Sequence, residues 1–230
     1  MRGDGDGWVF SSDGSRHWGR HGAAGLLLRA PTGSGESSVL LQHRAAWSHQ
    51  GGTWALPGGA RDSHESAEHA AVREAGEEAG ITDDLLTVRA EHVTAVEDSG
   101  WSYTTVVADT DHELDTVPNG ESTELRWVAE KDVDSLPLHP AFAVSWPSLR
   151  TVAVRAVLAP DASLDLGART VRLDVGRFGW VVDVVAADDV ESAVAAAQHP
   201  TELHTVVVTA DDAVRGAVSA DVTVLAPESL

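Results

Sequence analysis

The segment Gly59–Ile81, with the sequence GARDSHESAEHAAVREAGEEAGI, decides how this chain folds. Within it Glu74, Glu77 and Glu78 are spaced by three and four residues, so on an α-helix their side chains share one face. Carboxylates placed this closely repel one another unless a cation lies between them. Mg²⁺ takes oxygen ligands and is usually held by carboxylates together with substrate phosphates. The spacing therefore predicts a helix whose face binds a hard divalent cation.

Turn and cap residues frame this helix. Pro57–Gly59 breaks the chain ahead of it. Asp62 or Ser63 near the cap, together with Gly80, predicts a helix over Glu65–Ala79. Its apolar stripe consists of small residues, which favours close packing against a sheet. Apolar and β-branched runs predict strands before and after the helix, over residues 23–30, 38–45, 88–96, 103–109 and 125–128.

The whole pattern, G-x5-E-x7-R-E-x2-E-E-x-G followed by an aliphatic residue, resembles the signature of the Nudix hydrolases. The residues that carry the resemblance are Gly59, Glu65, Arg73, Glu74, Glu77, Glu78, Gly80 and Ile81. Ala75 fills a position where a larger aliphatic residue is more usual. The resemblance covers about residues 20–150. It implies an α/β/α sandwich around a mixed sheet, and hydrolysis of a nucleoside diphosphate linked to another moiety with Mg²⁺ or Mn²⁺.

The resemblance also implies roles for individual residues. The metal ligands would be the carbonyl of Gly58 and the carboxylates of Glu74, Glu77 and Glu78. Arg73 would orient one of these glutamates, with Glu65 as its structural counterpart, and Gly59 and Gly80 would shape the two ends of the loop–helix–loop. Physical chemistry agrees, since paired glycines let the backbone approach a ligand and a guanidinium orders carboxylates through forked hydrogen bonds.

The general base varies within the family and is left open here. The alternatives are a glutamate of the signature itself and a glutamate of a later loop that brings its carboxylate to the metal-bound water. Glu124 and Glu121, just before the strand at 125–128, are the main candidates, with Glu124 ranked slightly higher. Glu97 and Asp98 form a third option.

Candidates for the substrate pocket lie in the loops around the signature. Aromatic side chains stack on nucleobases, and an arginine on the sheet is able to meet phosphate. The candidates are Trp47, Trp101, Tyr103, His139, Phe142 and Arg44. Each also has an ordinary explanation as a core edge, a loop cover or a solvated strand edge.

Among substrates, a MutT-like nucleoside triphosphate is favoured. ADP-ribose, sugar nucleotides and dinucleotides are alternatives, as is a nucleotide-binding regulatory module, although an intact glutamate set argues against the last. ADP-ribose-cleaving members carry a proline downstream of the signature, and none occurs between Pro57 and Pro118. The 8-oxoguanine type carries an asparagine in the late proline-rich turn, and LPLHPAF at 136–142 has none. That specificity is therefore not expected.

Composition and charge narrow the kinds of binding partner and the cellular location that are expected for this chain. The net charge of −20 argues against binding duplex nucleic acid or anionic membranes. No apolar run of transmembrane length and no secretory h-region is found, and cysteine is absent, so a cytoplasmic protein without disulfides is expected.

Two domains are predicted. Residues 1–158 form the Nudix domain, with a polar segment at 1–21 and a partly helical stretch at 141–158. Residues 159–230 form a small α/β unit of unknown role, with a helix at 188–198 and strands at 169–175, 180–187, 204–210 and 221–226. A homodimer or partner surface on this unit is left open.

Overall fold

The computed structural model describes residues 3–32, 37–162, 170–173 and 178–227. Contacts divide the chain into two compact units, one formed by Met1–Thr32 and Ser37–Pro147 and the other mainly by Ser148–Leu230. The boundary thus lies between residues 147 and 148, ahead of the predicted position at 158 and 159. None of the helices in the described ranges is long and apolar enough to cross a membrane.

The first unit is built on a mixed sheet of seven strands. Its elements are β1 (Trp8–Phe10), β2 (Arg16–Trp18), β3 (Ala23–Pro31), β4 (Ser37–Arg44), β5 (Trp54–Ala55), β6 (Gly58–Ala60), α1 (Ala67–Ala79), β7 (Thr87–Val96), β8 (Ser102–Asp109), β9 (Ser122–Ala129) and α2 (Pro140–Leu149), with 3₁₀ turns at Asp83–Leu85 and Glu130–Ser135. The sheet runs β5-β4-β3-β8-β7, with β6 paired to β3 and β9 paired to β4. Among the described strand pairs of this sheet, β3 and β8 are parallel and the others are antiparallel. The predicted α/β class with a mixed sheet is confirmed.

Helix α1 packs on this sheet through alanines. The side chains that form the shared core are Ala67, Ala70, Ala71, Ala75 and Ala79 of the helix and Leu26, Leu28, Leu40 and Val106 of the strands. Ala75 is fully buried there. Because an alanine stripe lets the helix backbone approach the sheet closely, the small residue in the signature serves packing and leaves the carboxylate face free for chemistry.

The helix begins two residues later than predicted. Ser66 is the N-cap, and its side chain accepts a hydrogen bond from the backbone N–H of His69 at 3.1 Å. Glu65 lies in the preceding turn, where its carboxylate accepts from the N–H of Asp62 at 3.0 Å. The helix ends as predicted at Gly80, which adopts the left-handed conformation with φ of 73°.

The polar N-terminal segment, for which the sequence predicted no element, forms the antiparallel hairpin β1–β2. The rings of Trp8 and Trp18 meet edge to face at 5.1 Å. Upstream of the hairpin, the carboxylate of Asp4 accepts hydrogen bonds from the backbone and hydroxyl of Ser63 at 2.8 and 2.6 Å. These contacts attach the segment to the loop that precedes α1.

The second unit is a five-stranded sheet with helices. Its elements are β10 (Val152–Leu158), β11 (Thr170–Arg172), β12 (Phe178–Ala186), α3 (Val190–Ala197), β13 (His204–Val208), α4 (Asp212–Ala217) and β14 (Thr223–Leu225), in the sheet order β11-β12-β10-β13-β14. Residues 152–158, predicted as partly helical, are the central strand, because β-branched residues favour a strand buried on both faces. Helix α4 was not predicted. Parts of the predicted strand at 169–175 fall outside the described residues.

Candidate active site

Arg73 connects the loop before α1 to the carboxylate face of the helix. Its Nε donates to Glu65 Oε1 at 2.7 Å and its Nη2 donates to Glu65 Oε2 at 3.1 Å. Its other contacts are the backbone oxygen of Ala60 at 2.9 Å and Glu74 Oε1 at 2.9 Å. The hydrogen bonds from Arg73 lower the pKa of Glu65 and, in return, raise the pKa of Arg73. The ion pair thus positions Glu74.

The carboxylates of Glu74 and Glu77 both approach Nη1 of this arginine. Burial raises the pKa of Glu74, against the opposing charge of Arg73. A side chain at Gly59 would overlap the Glu74 carboxylate, so the glycine leaves room for it. Glu77 is the outer member of the set, with 62% of its side chain exposed and its carboxylate 3.6 Å from Arg73 Nη1.

Glu78 is the innermost carboxylate, only 3% exposed. Its Oε2 accepts hydrogen bonds from the backbone N–H of Gly58 at 2.8 Å and from Gln42 Nε2 at 3.2 Å. Burial raises the pKa of Glu78 to about 8, and the charges of Glu74 and Glu121 act in the same direction. The side chain is therefore held in place in a setting that disfavours its own negative charge.

Gln42 was not among the predicted site residues. It is buried on β4, where its Nε2 also donates to the backbone oxygen of Leu56 at 2.9 Å and its Oε1 accepts from Ser122 Oγ at 2.8 Å. The signal in the sequence was faint, namely one polar residue directly after the apolar residues Val39–Leu41 in β4.

These residues fit a divalent cation. The buried carboxylate of Glu78 and the largely buried carboxylate of Glu74, both with raised pKa values, together with Glu77 at the rim, offer hard oxygen donors whose mutual repulsion a bound cation relieves. Arg73 is already occupied by Glu65 and Glu74. The site therefore has the donor type and the charge deficit that a divalent metal ion satisfies.

The loop after the β8 strand closes over the end of α1. The backbone N–H of Asn119 donates to the backbone oxygen of Glu78, and its Nδ2 donates to the backbone oxygen of Glu77, both at 3.3 Å. Its Oδ1 accepts from the backbone N–H of Glu121 at 2.8 Å. The charge of Glu121 contributes to the raised pKa of both Glu74 and Glu78. Asn119, absent from the predicted set, thus holds a further carboxylate near the cluster.

Glu124 has a different environment. Its Oε1 forms an ion pair with Arg126 Nη2 at 2.6 Å, and both side chains are about half exposed. The guanidinium of Arg126 in turn lies 4.7 Å from the centre of the Trp54 ring.

A cavity of about 610 Å³ adjoins Gly58 and Gly59. Of the predicted substrate residues, those that line it are Arg44, Trp101, Tyr103, His139 and Phe142. Trp47 is 73% exposed and is not part of the described lining. The hairpin adds residues that were not predicted, among them His17 and Trp18. Arg44 Nε donates to the backbone oxygen of His49 at 3.1 Å.

Three titratable groups that line the cavity, Tyr103, His139 and His49, are shifted toward their neutral forms by burial. Burial, followed by the charge of Glu78, raises the pKa of Tyr103, whose hydroxyl occupies the space above Gly25. Burial lowers the pKa of His139 to about 4, assisted by Arg44 and His49. The ring of His139 accepts at Nδ1 from the backbone N–H of Ala141 at 3.3 Å, a role open only to the neutral ring.

The fold and the carboxylate site define a Nudix domain, and comparison with known proteins agrees. The family model described as NUDIX domain matches residues 19–151, and the chain belongs to that family. It is a Nudix hydrolase, a class of enzyme that uses divalent metal ions.

Three related proteins show where the similarity lies. A protein of Mycobacterium tuberculosis named "Putative 8-oxo-dGTP diphosphatase 3" is 60% identical over 185 residues, covering 78% of this chain and 85% of the relative. The crystal structure of a Nudix hydrolase from M. smegmatis, RenU, is 65% identical with a TM-score of 0.60, covering 62% of this chain and 91% of that one. A nucleoside triphosphate pyrophosphatase/Nudix hydrolase fusion protein of Bifidobacterium longum is 44% identical over 149 residues, which is 62% of this chain and 30% of the fusion protein.

Proposed function

We propose that this protein hydrolyses purine nucleoside triphosphates of the 8-oxo-dGTP type to the monophosphate and pyrophosphate, with Mg²⁺ or Mn²⁺. The observation that carries the proposal is the buried pair Glu74 and Glu78, held by Arg73 and Gln42 beside a cavity of nucleotide size. The name of the M. tuberculosis relative supports the 8-oxo-dGTP class, although the sequence of the 136–142 turn did not favour it.

In this proposal, Glu74, Glu77 and Glu78 hold the cation, and the carbonyl of Gly58 stays a candidate ligand. When bound, the cation neutralises phosphate charge and makes a coordinated water more acidic. Arg44, on the wall of the cavity, adds positive charge for the phosphate chain.

Proton transfer falls to Glu121 in this scheme. Its charge reaches Glu74 and Glu78, and Asn119 holds its backbone, whereas Glu124 is engaged by Arg126. A carboxylate beside the attacking water then accepts its proton.

A nucleotide panel tests the proposal. Purified protein with Mg²⁺ or Mn²⁺ should release pyrophosphate from triphosphates, and Glu78→Gln should lower kcat by roughly 10³-fold or more, while Glu68→Gln, exposed on the first turn of the same helix, should not. Equal inertness of wild type and Glu78→Gln on triphosphates, sugar nucleotides and dinucleotides would refute hydrolysis.

Thermal melting adds a readout that is independent of turnover. Mg²⁺ or Mn²⁺ at about 100 times its Kd should stabilise the wild type by about 2.7 kcal/mol. Glu78→Gln should lose most of this gain, and Glu68→Gln should keep it. An equal gain in all three proteins would place the cation elsewhere.

A further inference from the structure

The hairpin and the β7–β8 loop form one wall of the cavity together. Trp101 Nε1 donates to the backbone oxygen of Trp18 at 3.0 Å, and the ring of Trp101 lies 4.5 Å from that of His17 at an interplanar angle of 31°. On the outer side, the backbone N–H and the hydroxyl of Ser12 both donate to the carboxylate of Asp98. The orientation of Trp101 is thus set by residues that lie outside the Nudix signature.

Glu97 stands at the start of the same loop. Its backbone N–H donates to the backbone oxygen of Trp101 at 2.8 Å, and its Oε1 lies 3.6 Å from His17 Nε2. The side chain of Glu97 is 31% exposed. Among the described residues that line the cavity, Glu97 brings the one carboxylate. It is therefore an exception in a wall otherwise formed by aromatic, basic and small side chains.

The charge of Glu97 limits which part of a nucleotide it meets. A carboxylate repels the triphosphate chain, whose partners here are the metal site and Arg44. Trp101 also lines the cavity, and an aromatic ring is able to stack on a nucleobase, so the part of a nucleotide that suits the neighbourhood of Glu97 is the nucleobase. An ionised carboxylate only accepts hydrogen bonds and has two oxygens, so it pairs best with two adjacent donors.

Guanine is the base with that edge. Its N1–H and N2–H₂ are neighbouring donors, whereas adenine and cytosine place a ring acceptor next to a single amino group, and thymine flanks its one N–H with carbonyl oxygens. We propose that Glu97 reads the N1–H and N2–H₂ edge of a guanine-type base and so selects guanine over adenine nucleotides.

This inference rests on the proposed function and sharpens it. Guanine and 8-oxoguanine share the N1–H and N2–H₂ edge, so Glu97 selects the guanine class and does not report oxidation at C8. Any preference for the oxidised base then belongs to other residues of the cavity.

The test compares kcat/KM for dGTP, 8-oxo-dGTP and dATP in wild type and Glu97→Gln. A glutamine presents an amino group to the donor edge, so kcat/KM for both guanine nucleotides should fall by roughly 10- to 100-fold, while that for dATP should change by less than about 3-fold. An unchanged ratio of guanine to adenine turnover in Glu97→Gln overturns the proposal.

Two control variants separate recognition from structure. Glu91→Gln, exposed on β7, should leave all three values unchanged. His17→Gln removes the partner of Glu97 in the hairpin but keeps the carboxylate, so the guanine preference should survive. If His17→Gln erases it as fully as Glu97→Gln does, Glu97 acts only by holding the hairpin, and the proposal fails.

Turnover by the wild type distinguishes a failure of the role of Glu97 from a failure of the proposed function. Wild type that hydrolyses triphosphates but does not prefer guanine over adenine overturns the role of Glu97 alone. Wild type that hydrolyses no triphosphate overturns the proposed function, and this inference with it.

Discussion

Gln42 Nε2 lies 3.2 Å from Glu78 Oε2, joining a strand to the carboxylate helix across the sheet face. Gln42 is itself 1% exposed and is oriented by Ser122 and the backbone of Leu56. Because Oε1 accepts from Ser122 and one Nε2 hydrogen is donated to the backbone oxygen of Leu56, the second Nε2 hydrogen is directed at Glu78. The buried glutamate is thus held from the strand side as well as by Gly58.

Replacing Gln42 tests this arrangement. Gln42→Leu leaves the hydroxyl of Ser122 and one contact of Glu78 unsatisfied in the interior, which should cost about 1–3 kcal/mol in the free energy of unfolding. We expect kcat to fall by roughly 10- to 100-fold in addition, as Glu78 loses its orientation. Denaturant unfolding and steady-state kinetics measure the two effects.

A second variant provides the control for Gln42. Ser122→Ala keeps the bond to Glu78, so it should lower stability with a smaller effect on kcat. Equal kinetic losses in the two variants would mean that packing alone is responsible.

The two loop glutamates should behave differently. Glu121→Gln should lower kcat by roughly 10²- to 10⁴-fold, since it removes the proposed proton acceptor. The charge of this carboxylate also raises the pKa of Glu74 and of Glu78. Glu124→Gln loses only an exposed ion pair with Arg126, worth at most about 1 kcal/mol of stability, and should keep nearly full activity. Rate profiles against pH for the three proteins provide the measurement. A larger loss of kcat in Glu124→Gln than in Glu121→Gln would instead identify Glu124 as the general base.

Gly25 and Tyr103 should be energetically coupled. A Cβ at Gly25 would overlap the Tyr103 hydroxyl and would lie 3.1 Å from the backbone oxygen of Pro57. Gly25→Ala should therefore cost about 1–3 kcal/mol. In the Tyr103→Phe background the cost should be smaller but not zero, because the oxygen of Pro57 remains.

A double-mutant cycle of unfolding free energies measures this coupling, which should exceed about 0.5 kcal/mol. Strict additivity of the two substitutions would show that the backbone shifts to relieve the contact.

His139 should make stability depend on pH. Its pKa is lowered to about 4 in the folded protein from an ordinary value of 6.5, so the unfolded chain binds the proton first. Its contribution is fully present above pH 6.5 and is lost as the pH falls toward 4.

Unfolding free energies at pH 7 and pH 5 test the role of His139. The loss of stability between them should be smaller in His139→Gln than in wild type. His204→Gln, exposed on β13, should retain the wild-type loss. The same slope in all three proteins would show that His139 does not link folding to pH.

Local spacing made much of the molecule predictable. The helix, its glycine end and the strands β3, β4, β7, β8 and β9 follow from periodicity and turn chemistry, which act within a few residues. The N-terminal hairpin was not predicted because its two strands are only three residues long and are supported by distant contacts, such as Trp101 with Trp18. The strand at residues 152–158 was not predicted because an apolar run alone does not distinguish a strand from a helix.

The amino-acid sequence alone determined the class of chemistry, because the glutamates, arginine and glycines of residues 59–81 stand at fixed helical and turn spacings that hold in any tertiary setting. Only the tertiary structure decided how that chemistry is tuned. Gln42 meets Glu78 across 36 residues, and the charge of Glu121 reaches Glu78 through a distant loop. The ring of His17 meets that of Trp101, which lies 84 residues further along the chain. Burial and long-range pairing set these pKa values and this pocket, and no local spacing encodes either one.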